Sequence, residues 1–249
     1  ILVWKSLHIS VEPPDAEHPY GHGKAEPLAA LVVALMLLAA AVALAVQSVR
    51  EILTPHQSPA SWTLLVLIGV ILVKETLFRF VIRAGEDLGS TAVRGDAWHH
   101  RSDALTSLAA AVGISVALVM GPGFESADDW ATLAACAVIA WNGWRLFRPA
   151  LSEIMDAAPQ QEVVAKLRKT AEQVVGVVGL DKCLVRKSGL RYFVDLHVVV
   201  DGAISVTAGH AIAHRVKDAL LTCGLPVADV LVHIEPALED RLARSKMKA

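Results

Sequence analysis

Four long apolar runs dominate this chain, at residues 27–50, 62–83, 95–120 and 128–148. Each is long enough to supply the roughly 20 residues an α-helix needs to cross hydrocarbon. Of the 249 residues, 54% are hydrophobic, above the roughly 45–50% usual in soluble domains. The excess lies in the first half, whereas 157–249 reads as ordinary soluble sequence. The connectors differ in charge. "EILTPHQSPAS" (51–61) and "GPGFESADD" (121–129) contain no Lys or Arg, whereas Lys5, Lys24, Arg79, Arg83, Arg94, Arg145 and Arg148 gather at the other ends of the runs. Basic connectors mark the cytoplasmic side of a membrane. Trp62, Trp98, Trp130 and Trp144 fall near the run ends, where interfacial anchors belong. Four buried helices of a large soluble core would leave the charge asymmetry a coincidence. The sequence therefore predicts an all-α membrane region over 1–153, a cytoplasmic domain over 154–240 and a charged tail over 241–249.

The chain opens on "ILVWKSLHIS". This short apolar piece running into Lys5 reads as the tail of a spanning helix. It lacks the basic start and cleavage site of a signal peptide, so the expectation is a fragment without its N-terminal part. The net charge of −2 gives no basic face for nucleic acid. Cys136, Cys183 and Cys223 have no metal-type spacing, so neither a zinc knuckle nor a disulfide framework is indicated; Cys136 is read as packing. Gly-rich phosphate loops, GxSxG and HExxH are absent from the sequence, so hydrolase and ATPase readings lack their central residues.

The second half alternates. Val163, Val164, Leu167, Ala171, Val174 and Val175 recur at helical spacing, predicting a helix from Gln160 to about Val178. "CLVRKSG" and "LRYFVDLHVVVDG" read as strands. "SVTAGHAIAHRVKDALLTCG" reads as a helix with Thr207 as its cap and Gly224 at its end, and "ADVLVHIEP" as a last strand. The order α-β-β-α-β predicts a small α+β fold with helices on one face of a mixed sheet.

Ionisable residues inside apolar runs call for a partner. "DAWHHRSDALTS" (96–107) places His99 and Asp103 four apart, on one helix face. Imidazole plus carboxylate is half of a tetrahedral site for Zn²⁺ or a similar ion; the alternative is that both sit at the headgroup level. His100 and Arg101 point to other faces and are read as interfacial, and Asp96 as structural. In "DAEHPYGHGK", Asp15, His18 and His22 could converge on an ion, with Gly21 and Gly23 allowing a tight loop. In the second half, His197 lies on a strand and His210 on a helix, while His233 and Glu235 share a face of the last strand. A solvated sheet face is the other reading of these, and His214 is equally explained as exposed surface.

With these residues laid out, the sequence resembles the cation diffusion facilitator family of divalent-metal/proton antiporters. "HPYGHGKAE" (18–26) is similar to the family's loop between its second and third spans, "KETLFRF" (74–80) to its fourth span, and "DAWHHRSDALTS" to its fifth-span signature. "EIMD" (153–156) resembles the exit from the membrane. The resemblance implies six spans, four of them complete here, a ferredoxin-like, metallochaperone-like cytoplasmic domain, and a homodimer in a lipid bilayer. It implies that the first span and most of the second precede Ile1. It makes His99 and Asp103 the fifth-span half of the transport site, the other half coming from the second span. It assigns Asp15, His18 and His22 to a loop metal site, and His197, His210, His233 and Glu235 to a binuclear site at the cytoplasmic dimer interface. Asp181 stands where many members carry a His. Lys24 and Asp156 match a charge pair holding two protomers together. The expected function is export of divalent cations from the cytoplasm, Zn²⁺ first and Fe²⁺, Co²⁺ or Cd²⁺ possible, in exchange for protons, without enzymatic activity, at a bacterial inner membrane with the C-terminal domain cytoplasmic. A His in the fifth-span pair argues against a manganese specialist, which all-carboxylate sites suit better. The alternative is a non-transporting metal sensor or assembly scaffold. A membrane metalloenzyme would need a general base beside an open metal position, and nothing near His99 offers one.

Overall fold

The computed structural model describes residues 2–54, 62–120 and 126–237. The chain forms two compact units, Ile1–Ser152 and Glu153–Ala249. The charged stretch at 241–249 and the greater part of both neutral connectors lie outside the described residues.

The first unit is helical: α1 (Leu2–Ser10), α2 (Ala25–Leu53), α3 (Thr63–Asp87), α4 (Thr91–Met120) and α5 (Ala127–Ile154). The last four run 29, 25, 30 and 28 residues, each longer than the roughly 30 Å of bilayer hydrocarbon at about 1.5 Å per residue. By length and composition alone, α2 and α4 qualify as spans. In α3 the apolar run is broken by Lys74, Glu75 and Arg79, and α5 carries Asn142, Arg145 and Arg148.

Packing in this unit is inverted relative to a soluble bundle. Large side chains face outward, among them Met36, Val42, Leu65, Leu72, Phe80, Val119 and Trp141. Small ones line the seams: Ala29, Ala30, Ala34, Ala41, Ala92, Ala97, Ala104 and Ala117 are buried. Hydrocarbon solvates large apolar groups as well as a core does, so small residues are placed where helix backbones must approach closely. Gly143 faces Leu38 and the Ala34 carbonyl, and at Gly113 a Cβ would overlap the backbone of Asp128 at the start of α5.

α4 begins at Thr91, one turn before the predicted run, because its N-terminus is capped from another helix. The carboxyl of Glu26, fully buried at the start of α2, accepts hydrogen bonds from Ser90 Oγ and from the Ala92 N–H, both at 2.6 Å. Ser90 Oγ in turn accepts from the Val93 N–H at 3.2 Å. A negative group at the N-terminus of a 30-residue helix satisfies donors that have no partner within the helix and complements its dipole. Of the four predicted tryptophan anchors, Trp98 instead packs beside Ala34, Leu37, Ile139 and Leu146, with its ring 5.6 Å from that of Phe78.

The second unit has the order α6 (Gln161–Glu172), β1 (Gly179–Ser188), β2 (Arg191–Val200), α7 (Val206–Leu221), β3 (Val227–Pro236). The sheet is β1-β2-β3, antiparallel then parallel, so the predicted mixed α+β fold is the one observed. Leu167 and Ala171 of α6 and Ile212, Val216 and Leu220 of α7 meet Val194, Leu196 and Val198 of β2 in one core. Two local expectations change. α6 stops at Glu172 rather than Val178, because Gly176 adopts φ 98° in a turn where a Cβ would press on Ile212. Ser205, not Thr207, caps α7, its side chain accepting from the Ala208 N–H.

Candidate metal centres

On α4 the one-turn spacing of His99 and Asp103 brings His99 Nε2 to 3.7 Å from Asp103 Oδ2. A tetrahedral ion held at about 2.0–2.1 Å by both groups would separate those atoms by about 3.3 Å, a few tenths less. The same oxygen accepts a hydrogen bond from Lys74 Nζ of α3 at 2.7 Å. Lys74 has no role in the motif arguments from sequence, but its residue type carries a signal: a cation in an apolar run needs a counter-ion. Two neighbours make contacts of their own. The Arg101 guanidinium lies 4.5 Å from the Phe78 ring centre and 5.5 Å from that of Trp98, a cation–π seat between α3 and α4. His100 Nε2 is 3.8 Å from Asp96 Oδ2, one helical turn back.

In the loop before α2, Asp15 Oδ1 accepts from the Glu17 N–H at 2.9 Å and the His18 N–H at 2.6 Å, an Asx-type turn. These bonds, led by the His18 amide, hold the Asp15 carboxyl below its ordinary value of 3.8. His18 Nδ1 is 3.3 Å from Oδ1 and His22 Nε2 3.5 Å from Oδ2. Gly21, at φ 77°, turns the chain between the two histidines and donates its N–H to the His18 carbonyl. One ligand atom each of Asp15, His18 and His22 falls within 4.8 Å of the others, close enough to share an ion. Lys24 lies at the start of α2. Asp156 follows α5 in the left-handed region, φ 57°, which Asp tolerates better than most side chains.

In the sheet, parallel pairing of β2 with β3 sets His197 opposite His233. Alternation puts both, with Glu235, on the face away from α6 and α7. His197 Nδ1 is 2.7 Å and His233 Nε2 3.9 Å from Glu235 Oε1. These three also place one ligand atom each within 4.8 Å. Two residues grouped with them by resemblance lie outside this cluster. Asp181 is the extra residue of a β-bulge, so Lys182 pairs with His197 in its place. His210 instead meets His214, one turn along α7, with their Nε2 atoms 3.1 Å apart. Burial pushes the Cys183 thiol up, consistent with packing rather than thiolate ligation.

Residues 1–155 match the family described as the cation efflux transmembrane domain. The chain belongs to the cation efflux, or cation diffusion facilitator, family. Residues 159–237 match the cytoplasmic domain of cation efflux proteins. Membership makes the first unit the transmembrane domain and the second the cytoplasmic one. Relatives include metal tolerance protein C1 of Arabidopsis thaliana, 34% identical over 90% of this chain and 50% of that protein. Others are the manganese efflux system protein MneP of Bacillus subtilis, 26% identical over 96% of this chain and 82% of MneP, and the cation-efflux pump FieF of Yersinia enterocolitica, 29% identical over 92% and 76%. The chain thus spans half the length of the Arabidopsis protein. A nickel form of a MamM CTD variant superposes on 32% of this chain and all of its own, at 23% identity and a TM-score of 0.31.

Proposed function

We propose that this cation diffusion facilitator protein exports divalent metal ions from the cytoplasm in exchange for protons. The observation that carries the reading is the convergence of His99 and Asp103 on one face of α4 inside the family's transmembrane domain. The ion enters as substrate from the cytoplasmic side and binds the His99 nitrogen and Asp103 oxygen, with further ligands from the second span that the family resemblance implies. Ligation requires neutral imidazole and ionised carboxylate, so loading releases protons and proton return from the far side displaces the ion. Imidazole with carboxylate and without thiolate suits Zn²⁺ first, with Fe²⁺, Co²⁺ and Cd²⁺ behind it. The name of the B. subtilis relative adds Mn²⁺ as the second reading.

The Asp15–His18–His22 and His197–His233–Glu235 groups act as cytoplasmic-side regulatory sites in this reading. An ion shared between two cytoplasmic domains of a homodimer favours one arrangement of the transmembrane halves only by binding it more tightly. Lys24 and Asp156 serve as the inter-protomer charge pair. Proteoliposomes containing the full-length transporter test the reading. An imposed pH gradient should drive Zn²⁺ uptake and dissipate as Zn²⁺ moves. Metal binding without flux, for every ion of the panel Zn²⁺, Fe²⁺, Co²⁺, Cd²⁺ and Mn²⁺, would leave a sensor or scaffold instead.

A further inference from the structure

A carboxylate within a membrane domain has to be neutralised whether or not cargo is present. Asp103 shows how this chain does it. One oxygen, Oδ2, both accepts the Lys74 ammonium at 2.7 Å and faces His99 Nε2 at 3.7 Å. The lone pair that the ammonium occupies belongs to the same atom a metal would share with His99. The carboxylate nearest Lys74 in sequence, Glu75, is engaged by Arg79 Nε at 2.9 Å, so the ammonium is paired across helices rather than along its own. One turn further along α3, Phe78 seats the Arg101 guanidinium. The α3–α4 seam thus fixes where the base of the Lys74 side chain stands, while its flexible stem leaves the ammonium movable.

We propose that Lys74 is a tethered competing cation of the transport site: it holds Asp103 in the metal-free state, is displaced by the incoming divalent ion, and by returning favours the ion's release. This rests on the reading of His99 and Asp103 as transport ligands. The ammonium and the ion compete for one oxygen, so affinity is lowered by the strength of the bond that must first break. A monovalent cation gains too little at a single carboxylate oxygen to displace it, whereas a divalent ion that also engages the His99 nitrogen gains more. Lys74 is therefore a positioning and selectivity residue, not a ligand: an ammonium has no lone pair to give a metal.

The experiment is Zn²⁺ flux under a fixed pH gradient for wild type, Lys74→Met, Lys74→Arg and Asp103→Asn in the full-length transporter, with KM and maximal rate measured separately. Losing a hydrogen bond between charged groups corresponds to a roughly ten- to hundredfold change in affinity. Lys74→Met should therefore lower KM by about that factor and also lower the maximal rate, because the ion leaves more slowly. Lys74→Arg should stay near wild type. A purely structural Lys74 would not yield tighter cargo binding on removal. An unchanged or raised KM in Lys74→Met, with Asp103→Asn inactive, overturns the proposal and leaves the transport-site reading standing; an active Asp103→Asn overturns both. Should Lys74→Met fail to fold, a Zn²⁺-loaded structure of the wild type decides. Lys74 Nζ moved beyond hydrogen-bond distance of Asp103 Oδ2 supports the proposal, and the 2.7 Å contact persisting beside bound metal refutes it.

Discussion

Replacing Glu26 with alanine tests how the helix bearing His99 and Asp103 is held. The Glu26 side chain is fully buried, as is Ser90, so bulk water does not replace the lost acceptor. The substitution removes two hydrogen bonds of 2.6 Å and leaves the Ser90 hydroxyl and the Ala92 N–H without it. Bonds to a charged acceptor contribute about 1.5–3 kcal/mol each, and neighbouring bonds are not fully additive, so a loss of about 3–5 kcal/mol is expected. For a protein of this size that corresponds to a fall in Tm of roughly 10 °C. Glu26→Gln keeps one acceptor oxygen and should lose less than half as much. Thermal melts of the purified protein in detergent, followed by intrinsic tryptophan fluorescence, give the comparison. A Glu26→Ala variant melting within about 2 °C of wild type would refute the capping argument, because a buried orphan donor alone costs more than that.

Gly113→Ala should destabilise the transmembrane domain by at least about 1–3 kcal/mol, because its Cβ would overlap the Asp128 backbone; the same melts show it. His233→Ala should weaken Zn²⁺ binding to the cytoplasmic domain in calorimetry, with His197→Ala at least as damaging, since His197 is the closer to Glu235. The Asp229 carboxyl is held below 3.8, first by its hydrogen bond from Lys217. Its pairing therefore stabilises the fold above the ordinary carboxylate range, and the contribution is lost as pH falls through the depressed folded value. Both side chains are more than a third exposed, so the effect is under about 1 kcal/mol; Lys217→Met should return the Asp229 midpoint, read by NMR titration, towards 3.8.

Hydropathy made the architecture readable. The four apolar runs became α2 to α5, and the switch to alternating β-branched residues at "LRYFVDLHVVVDG" became β2. Spacing within one element was equally informative: four residues on a helix set His99 beside Asp103, and two on a strand set His233 beside Glu235. Partners from other elements were not readable, because nothing local to Lys74 or Glu26 says which helix it meets. Their contacts with Asp103, Ser90 and Ala92 depend on helix packing. Register defects were hidden for a related reason. A single bulged residue moves Asp181 out of line and puts Lys182 opposite His197, and no residue type announces it.

The central claim is that His99 and Asp103 bind the transported ion. The most direct test is Zn²⁺ flux into proteoliposomes under an imposed pH gradient, comparing the full-length wild type with Asp103→Ala, with calorimetry confirming that the cytoplasmic domain still binds Zn²⁺. The account predicts that flux and the accompanying proton movement are both lost while cytoplasmic binding is retained. Undiminished proton-coupled flux in Asp103→Ala would contradict it.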